Sequence, residues 1–175
     1  MDDVLAKYRD GLRDRAKKKI PEFAPEAVHT APILALLLDP GKSGATKSGI
    51  VQVHNDDPTA RRTLEKIGRA KLKLDDFVLW NFYASFDVVV KKEARDFWEA
   101  ETERLIKETM KKLKVVLVFG NDAWLGMRGV ELPKCVVLIG APHPSQRSVN
   151  SDKSADGKIE RAWARAKHLI DGCEK

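Results

Sequence analysis

Two hydrophobic patterns alternate along this chain. Val4, Leu5, Tyr8 and Leu12 recur at helical spacing and predict an amphipathic helix over residues 3–18. Ile33 to Leu38 is instead an unbroken apolar run, as are Phe77 to Trp80, Val115 to Phe119 and Cys135 to Ile139. Runs of that length bounded by turn residues predict strands buried on both faces. Between them the pattern returns to helix. Asp57 reads as an N-cap with Pro58 at the first helical position, opening a helix to about Gly68. A second helix is predicted from Lys92 to Leu113, with Phe97, Leu105, Ile106 and Leu113 set among Glu and Lys pairs. A short helix holding Trp124 and Leu125 is expected after a cap at Asn121 or Asp122, and a last helix from about Lys158 to Ile170. Pro21, Pro25 and Pro32 mark an extended connection, and residues 150–157 read as a surface loop. Strands alternating with helices predict an α/β fold with a mainly parallel sheet.

The strands end on chemistry. The first stops at Asp39-Pro40-Gly41 and opens a loop to Asp57, long enough to be functional, with a short extended piece over residues 50–53. The second ends at Asn81, and the fourth leads to His143 between two prolines. Open α/β sheets bind ligands outside the carboxyl ends of their strands, so these three residues define a candidate site. Two of them also have a plainer reading: Asp39 as a turn residue accepting backbone N–H bonds, Asn81 as a strand-end cap. Trp80 and Trp124 read as core or wall residues, and Asp56 and Asp57 as helix-capping acids.

Composition narrows the classes. At 175 residues, 43% hydrophobic and 33% charged, the chain suits one globular domain over residues 1–175. No apolar run approaches a bilayer span and the start carries no signal-peptide pattern, so no membrane partner and a cytoplasmic location are expected. Cys135 is expected in the core and Cys173 near the terminus; their spacing suits no metal, and two thiolates are too few for an iron–sulfur cluster. The net charge of +6 favours polyanionic partners, although the run Arg13, Arg15, Lys17, Lys18, Lys19 also fits a solvated helix end. Lys42-Ser43 and Lys47-Ser48 lack the glycine spacing of a phosphate-binding loop, and Gly41-Lys42-Ser43-Gly44 is not a nucleophile elbow.

Leu38-Asp39-Pro40-Gly41 resembles the first motif of the uracil-DNA glycosylase superfamily, whose versions run Gly-Gln-Asp-Pro-Tyr or Gly-x-Asn-Pro-Gly. His143-Pro144-Ser145-Gln146-Arg147-Ser148 resembles its second motif, His-Pro-Ser-Pro-Leu-Ser. Trp80-Asn81-Phe82-Tyr83, and the run from Gly49 through Asn55 to Ala60, are similar to segments of bacterial members without an iron–sulfur cluster. The resemblance implies a three-layer α/β/α sandwich around a four-stranded sheet. Its motif-bearing core spans 33–150, preceded by an N-terminal helix (1–20) and followed by a C-terminal helix (158–172).

It also implies a reaction: hydrolysis of the N-glycosidic bond of uracil or another deaminated base flipped out of DNA, by a monomer without metal or cofactor. Asp39 would orient water and stabilise the cationic sugar, and His143 would donate to the departing base. Asn81 would read the base edge, with Gly41, Ile50, Val51 and His54 around it. Lys42, Lys47, Ser145 and Gln146 would hold DNA, with Arg147 filling the vacated stack. The family pattern is broken by three departures. Leu37 replaces the leading glycine, Gly41 stands where one branch has a methyl-excluding tyrosine, and Ile50-Val51 stands where an aromatic platform is usual. His54 or Phe82 would be the substitute stacking surface. The alternatives are a silent nucleic-acid-binding module on the same fold and an enzyme acting on free nucleosides or nucleotides.

Overall fold

The computed structural model describes residues 2–87 and 92–172. Among them six strands occur in chain order: β1 (Glu22–Phe23), β2 (Ile33–Leu37), β3 (Ile50–Val51), β4 (Phe77–Asn81), β5 (Val115–Phe119) and β6 (Val137–Ala141). The main sheet has the order β4-β2-β5-β6 and every neighbouring pair is parallel. β2 and β5, the central strands, carry no polar side chain, and β5 is buried along its whole length. Residues with no polar side chain suit positions covered on both faces. β6 lies at an edge and is only partly buried.

Around the strands lie α1 (Asp3–Ala16), α2 (Ala45–Ser48), α3 (Pro58–Arg69), α4 (Lys92–Arg104), α5 (Asn121–Gly126), α6 (Gln146–Ser151) and α7 (Ala155–Asp171). On one face the buried Trp163 of α7 meets Phe77 and Phe119, with ring centroids 5.6 and 5.5 Å away. On the other, Tyr8 of α1 tilts against Phe23, which stacks on Trp80 at 3.8 Å. The α/β architecture with a four-stranded parallel sheet is the one expected.

Several elements depart from the sequence pattern. β6 starts two residues later than the apolar run, leaving Cys135 exposed as a free thiol before the strand rather than in the core. Cys173 lies outside the described residues. The helix that begins at Lys92 gives way to a π turn over Leu105–Thr109, well before Leu113. Neither Asn121 nor Asp122 caps α5; Gly120 takes that position, with φ at +93°, and no side chain bonds the first turn. Residues 150–157 are largely helical, divided between the end of α6 and the start of α7. The loop after β2 holds α2 and β3, and β3 pairs in parallel with β1 as a second, two-stranded sheet. Trp80 is buried as expected, whereas Trp124 lies exposed beside Gly140.

Candidate active site

A pocket of about 120 Å³ opens at the carboxyl ends of β2 and β4. That is the scale of the ~150 Å³ cavity that accepts one benzene ring. Leu37 and Asn81, paired across β2 and β4, form part of its wall together with Leu79. Asp39 and Gly41 contribute from the turn after β2; Ala45, Val51, Gln52 and Asn55 from the loop that follows. The head of α3 supplies Asp57, Thr59, Ala60 and Thr63, and His143 arrives from the segment after β6. Asp39, Asn81 and His143, distant in sequence, therefore line one cavity.

Each is held differently. Asn81 is 2% exposed and its carboxamide oxygen has no hydrogen-bond partner among the described residues. A buried acceptor left unpaired costs about 1–3 kcal/mol, so its presence in a pocket points to a donor that arrives from outside. Asn55, beside it, is satisfied: its Nδ2 donates to the Ile50 carbonyl at 3.0 Å and its Oδ1 accepts from Gln52 Nε2 at 3.4 Å. Thr63 donates to the Thr59 carbonyl at 2.8 Å.

His143 sits between Pro142 and Pro144, each of which fixes its own φ. The Ser145 N–H donates to His143 Nδ1 at 3.1 Å, so in the neutral ring Nε2 carries the proton and is the donor left for a ligand. Burial holds the imidazole below its ordinary pKa, opposed by the nearby carboxylates of Asp39 and Asp57. The backbone at Gly120 makes room for it. A Cβ there would come within 3.3 Å of His143 Cβ, and the positive φ already disfavours a side chain.

Asp39 stands at the mouth, exposed as a residue, yet the surrounding protein strips enough water to raise its carboxyl above the ordinary range. His143 partly offsets that rise. Asp57 does cap α3, accepting from Thr59 and Ala60 N–H at 2.8 and 3.0 Å, with Pro58 following. Its second oxygen lies against the buried Gly44, where any Cβ would overlap it. The same acid therefore caps a helix, fixes the loop and faces the pocket.

Other residues expected at the site are placed variously. Gly41 and Val51 line the pocket; Ile50 and His54 do not. Ile50 pairs with Glu22 in the β1–β3 sheet, and His54 is exposed, 3.4 Å from Glu26. Phe82 is buried in the core, so it offers no stacking face. Lys42 in the loop after β2, Lys47 on α2 and Arg147 on α6 are exposed, with no ion pair among the described residues. Ser145 caps α6, accepting from Ser148 N–H at 3.3 Å, and Gln146 accepts from Arg62 Nη2 at 3.1 Å. Asp56 is exposed, 3.7 Å from Arg61. Sequence reading did not single out Gln52, Asn55, Thr59 or Thr63 as pocket residues; the one available signal was a helix start directly after a long loop.

No group of three or more metal-ligating side chains gathers among the described residues, and no described helix is long and apolar enough to cross a membrane. The family model of the uracil DNA glycosylase superfamily matches residues 27–167, most of the chain and every strand of the main sheet. No curated protein matches this chain significantly.

Proposed function

Because the chain belongs to the uracil DNA glycosylase superfamily, we propose that its pocket receives a flipped-out uracil or another deaminated base and that the protein hydrolyses the N-glycosidic bond holding that base to DNA. The observation that carries this reading is the unpaired Asn81 carboxamide oxygen, buried in a ring-sized cavity that Asp39 and His143 share. A base edge with an N–H beside a carbonyl complements a carboxamide, the pattern that separates uracil from cytosine.

Chemistry follows from the polarity of the bond. As it breaks, positive charge grows on the sugar and negative charge on the base. Asp39, ionised, faces the cationic side and orients the water that adds to the sugar carbon. The neutral His143 ring donates from Nε2 to the base carbonyl where the anion's charge collects. Water supplies the hydroxyl to the sugar and a proton to the products, so no other reactant is needed. Exposed Lys42, Lys47 and Arg147 would meet the backbone phosphates.

Single- and double-stranded oligonucleotides containing uracil, hypoxanthine or xanthine test the proposal. Abasic product is expected, falling about a hundred- to a thousandfold in Asp39→Asn and His143→Ala. No abasic product from any of the three bases would defeat it. One observation favours a silent DNA-binding module instead: no Phe, Tyr or Trp among the described residues lines the pocket, so a base there lacks aromatic stacking. Salt-dependent DNA binding without base release, unchanged by Asp39→Asn, would identify that case. Release of base from free deoxyuridine but not from DNA would identify a nucleoside enzyme.

A further inference from the structure

The geometry points to Arg62, on α3, as a positioning residue that fixes the ring of His143 by gripping the far side of one peptide bond. Arg62 Nη1 donates to the Pro144 carbonyl oxygen at 2.9 Å. The N–H across that same peptide belongs to Ser145, and it donates to His143 Nδ1 at 3.1 Å. A trans peptide is planar and its C=O and N–H point in opposite directions. One rigid plane thus joins a guanidinium on one side to an imidazole on the other. Rotation of that plane would break both bonds together.

Two effects follow. The first is orientation. Pro142 and Pro144 restrict the φ angles around His143, and rotation of the 144–145 peptide is a remaining freedom that would withdraw the N–H from Nδ1. Arg62 opposes it with a charged donor. The second is electronic. A cation on the carbonyl draws density through the amide and makes the Ser145 N–H a stronger donor, as in any polarised hydrogen-bond chain. Both effects favour the neutral ring protonated on Nε2. Asp39 and Asp57 act in the opposite direction, favouring imidazolium.

Arg62 is itself held in place. Its side chain is only 17% exposed; Nη2 donates to Gln146 Oε1 at 3.1 Å, and Nε lies 3.3 Å from Asp156 on α7. Asp156 also takes Lys66 at 2.6 Å, and Lys66, with 1% of its side chain exposed, reaches Glu160 at 3.2 Å. Arg62, Lys66 and Arg69 are spaced along one face of α3, so the helix that heads the pocket is bolted to α7 and carries the grip on the His143 turn.

The test is nitrogen NMR of His143 in the free protein, with base-excision kinetics as a second reading. In the unaltered protein the ring should be protonated on Nε2 with a depressed titration. Arg62→Met, which keeps the aliphatic stem, should mix the tautomers and raise the titration by roughly half a unit or more. Arg62→Lys should restore most of the original state. Arg69→Met, at the far end of the same charge network, should leave the ring unchanged and controls for helix docking. The inference rests on the proposed glycosylase activity only for its kinetic arm. There kcat should fall about ten- to a hundredfold in Arg62→Met with little change in KM, by analogy with the loss of a hydrogen-bond partner that orients a metal-ligating histidine. An unchanged tautomer and titration in a folded Arg62→Met would overturn the assignment; should that variant not fold, an unchanged ring in Arg62→Gln would do so. Altered NMR in a protein that releases no base would defeat the glycosylase proposal and leave this one standing.

Discussion

At the scale of single residues, the site holds groups in states that folding alone would not choose. The unpaired oxygen of Asn81 is the clearest case. Replacing Asn81 by Leu, which has the same branched shape and whose extra bulk the adjoining pocket can take, removes the unsatisfied acceptor, so the free protein should gain about 1–3 kcal/mol while base excision is lost. For a chain of this size that is about 2–4 °C in Tm per kcal/mol, readable by thermal unfolding. Asp39 shows the same tension through pH. Its folded pKa is raised by lost hydration, so the stability it contributes when neutral is present below the ordinary carboxyl range and is lost as pH rises through the raised value. Excision should rise over that same interval, because the proposed reaction uses the ionised form. His143 lowers the Asp39 pKa, so His143→Gln should move the carboxyl titration, followed by carbon NMR, to higher pH. Asp39, Asn81 and His143 were all legible in the sequence because they follow apolar runs. Asn55 and Thr63 were not, since nothing local distinguishes a polar residue that faces a cavity from one that faces water.

Among the elements, legibility followed locality. The buried runs announced β2, β4 and β5, and Asp57-Pro58 announced α3, because each signal is written in adjacent residues. β1 and β3 have two residues each and exist only through their mutual pairing, which no local pattern reveals. Cys135 belongs to an apolar run but stands outside its strand because β6 takes its register from Val115 opposite Val137. The basic run at the end of α1 was legible only as charge. The structure gives part of it an acid partner: Arg15 makes two bonds, 2.8 and 2.7 Å, to the buried Glu101 of α4, while Tyr8 donates to the Glu101 carbonyl at 2.9 Å. Removing Arg15 leaves that carboxylate short of a counter-charge. Arg15→Ala should destabilise by about 1–2 kcal/mol in denaturant unfolding. The loss stays below that of a fully buried pair because Arg15 is partly solvated and Arg104 still reaches Glu101 at 3.0 Å.

For the molecule as a whole, the strand order is what makes a site. β4 lies to one side of β2 and β5 to the other, so successive connections diverge from the first core strand and leave a crevice at its carboxyl end. The net charge of +6 over the whole chain favours association with a polyanion. If Lys42, Lys47 and Arg147 each neutralise a phosphate, replacing any one by Ala should flatten the dependence of log Kobs on log salt by about 0.9 for duplex DNA. Fluorescence anisotropy over a salt series reads this, and parallel lines for variant and unaltered protein would remove that residue from the binding face.

The pairing of residues 22–23 with 50–51 gives the amino-terminal end of the chain an unexpected duty. Val51 is a wall of the cavity, and its brace is supplied by Phe23, ahead of the family-matched span of 27–167. A version trimmed to residue 27 would retain every recognisable motif yet lose one brace of that wall, along with α1 and the Phe23–Trp80 stack on one face of the sheet, so its stability and its grip on a base should both slacken. The working unit is larger than its signature.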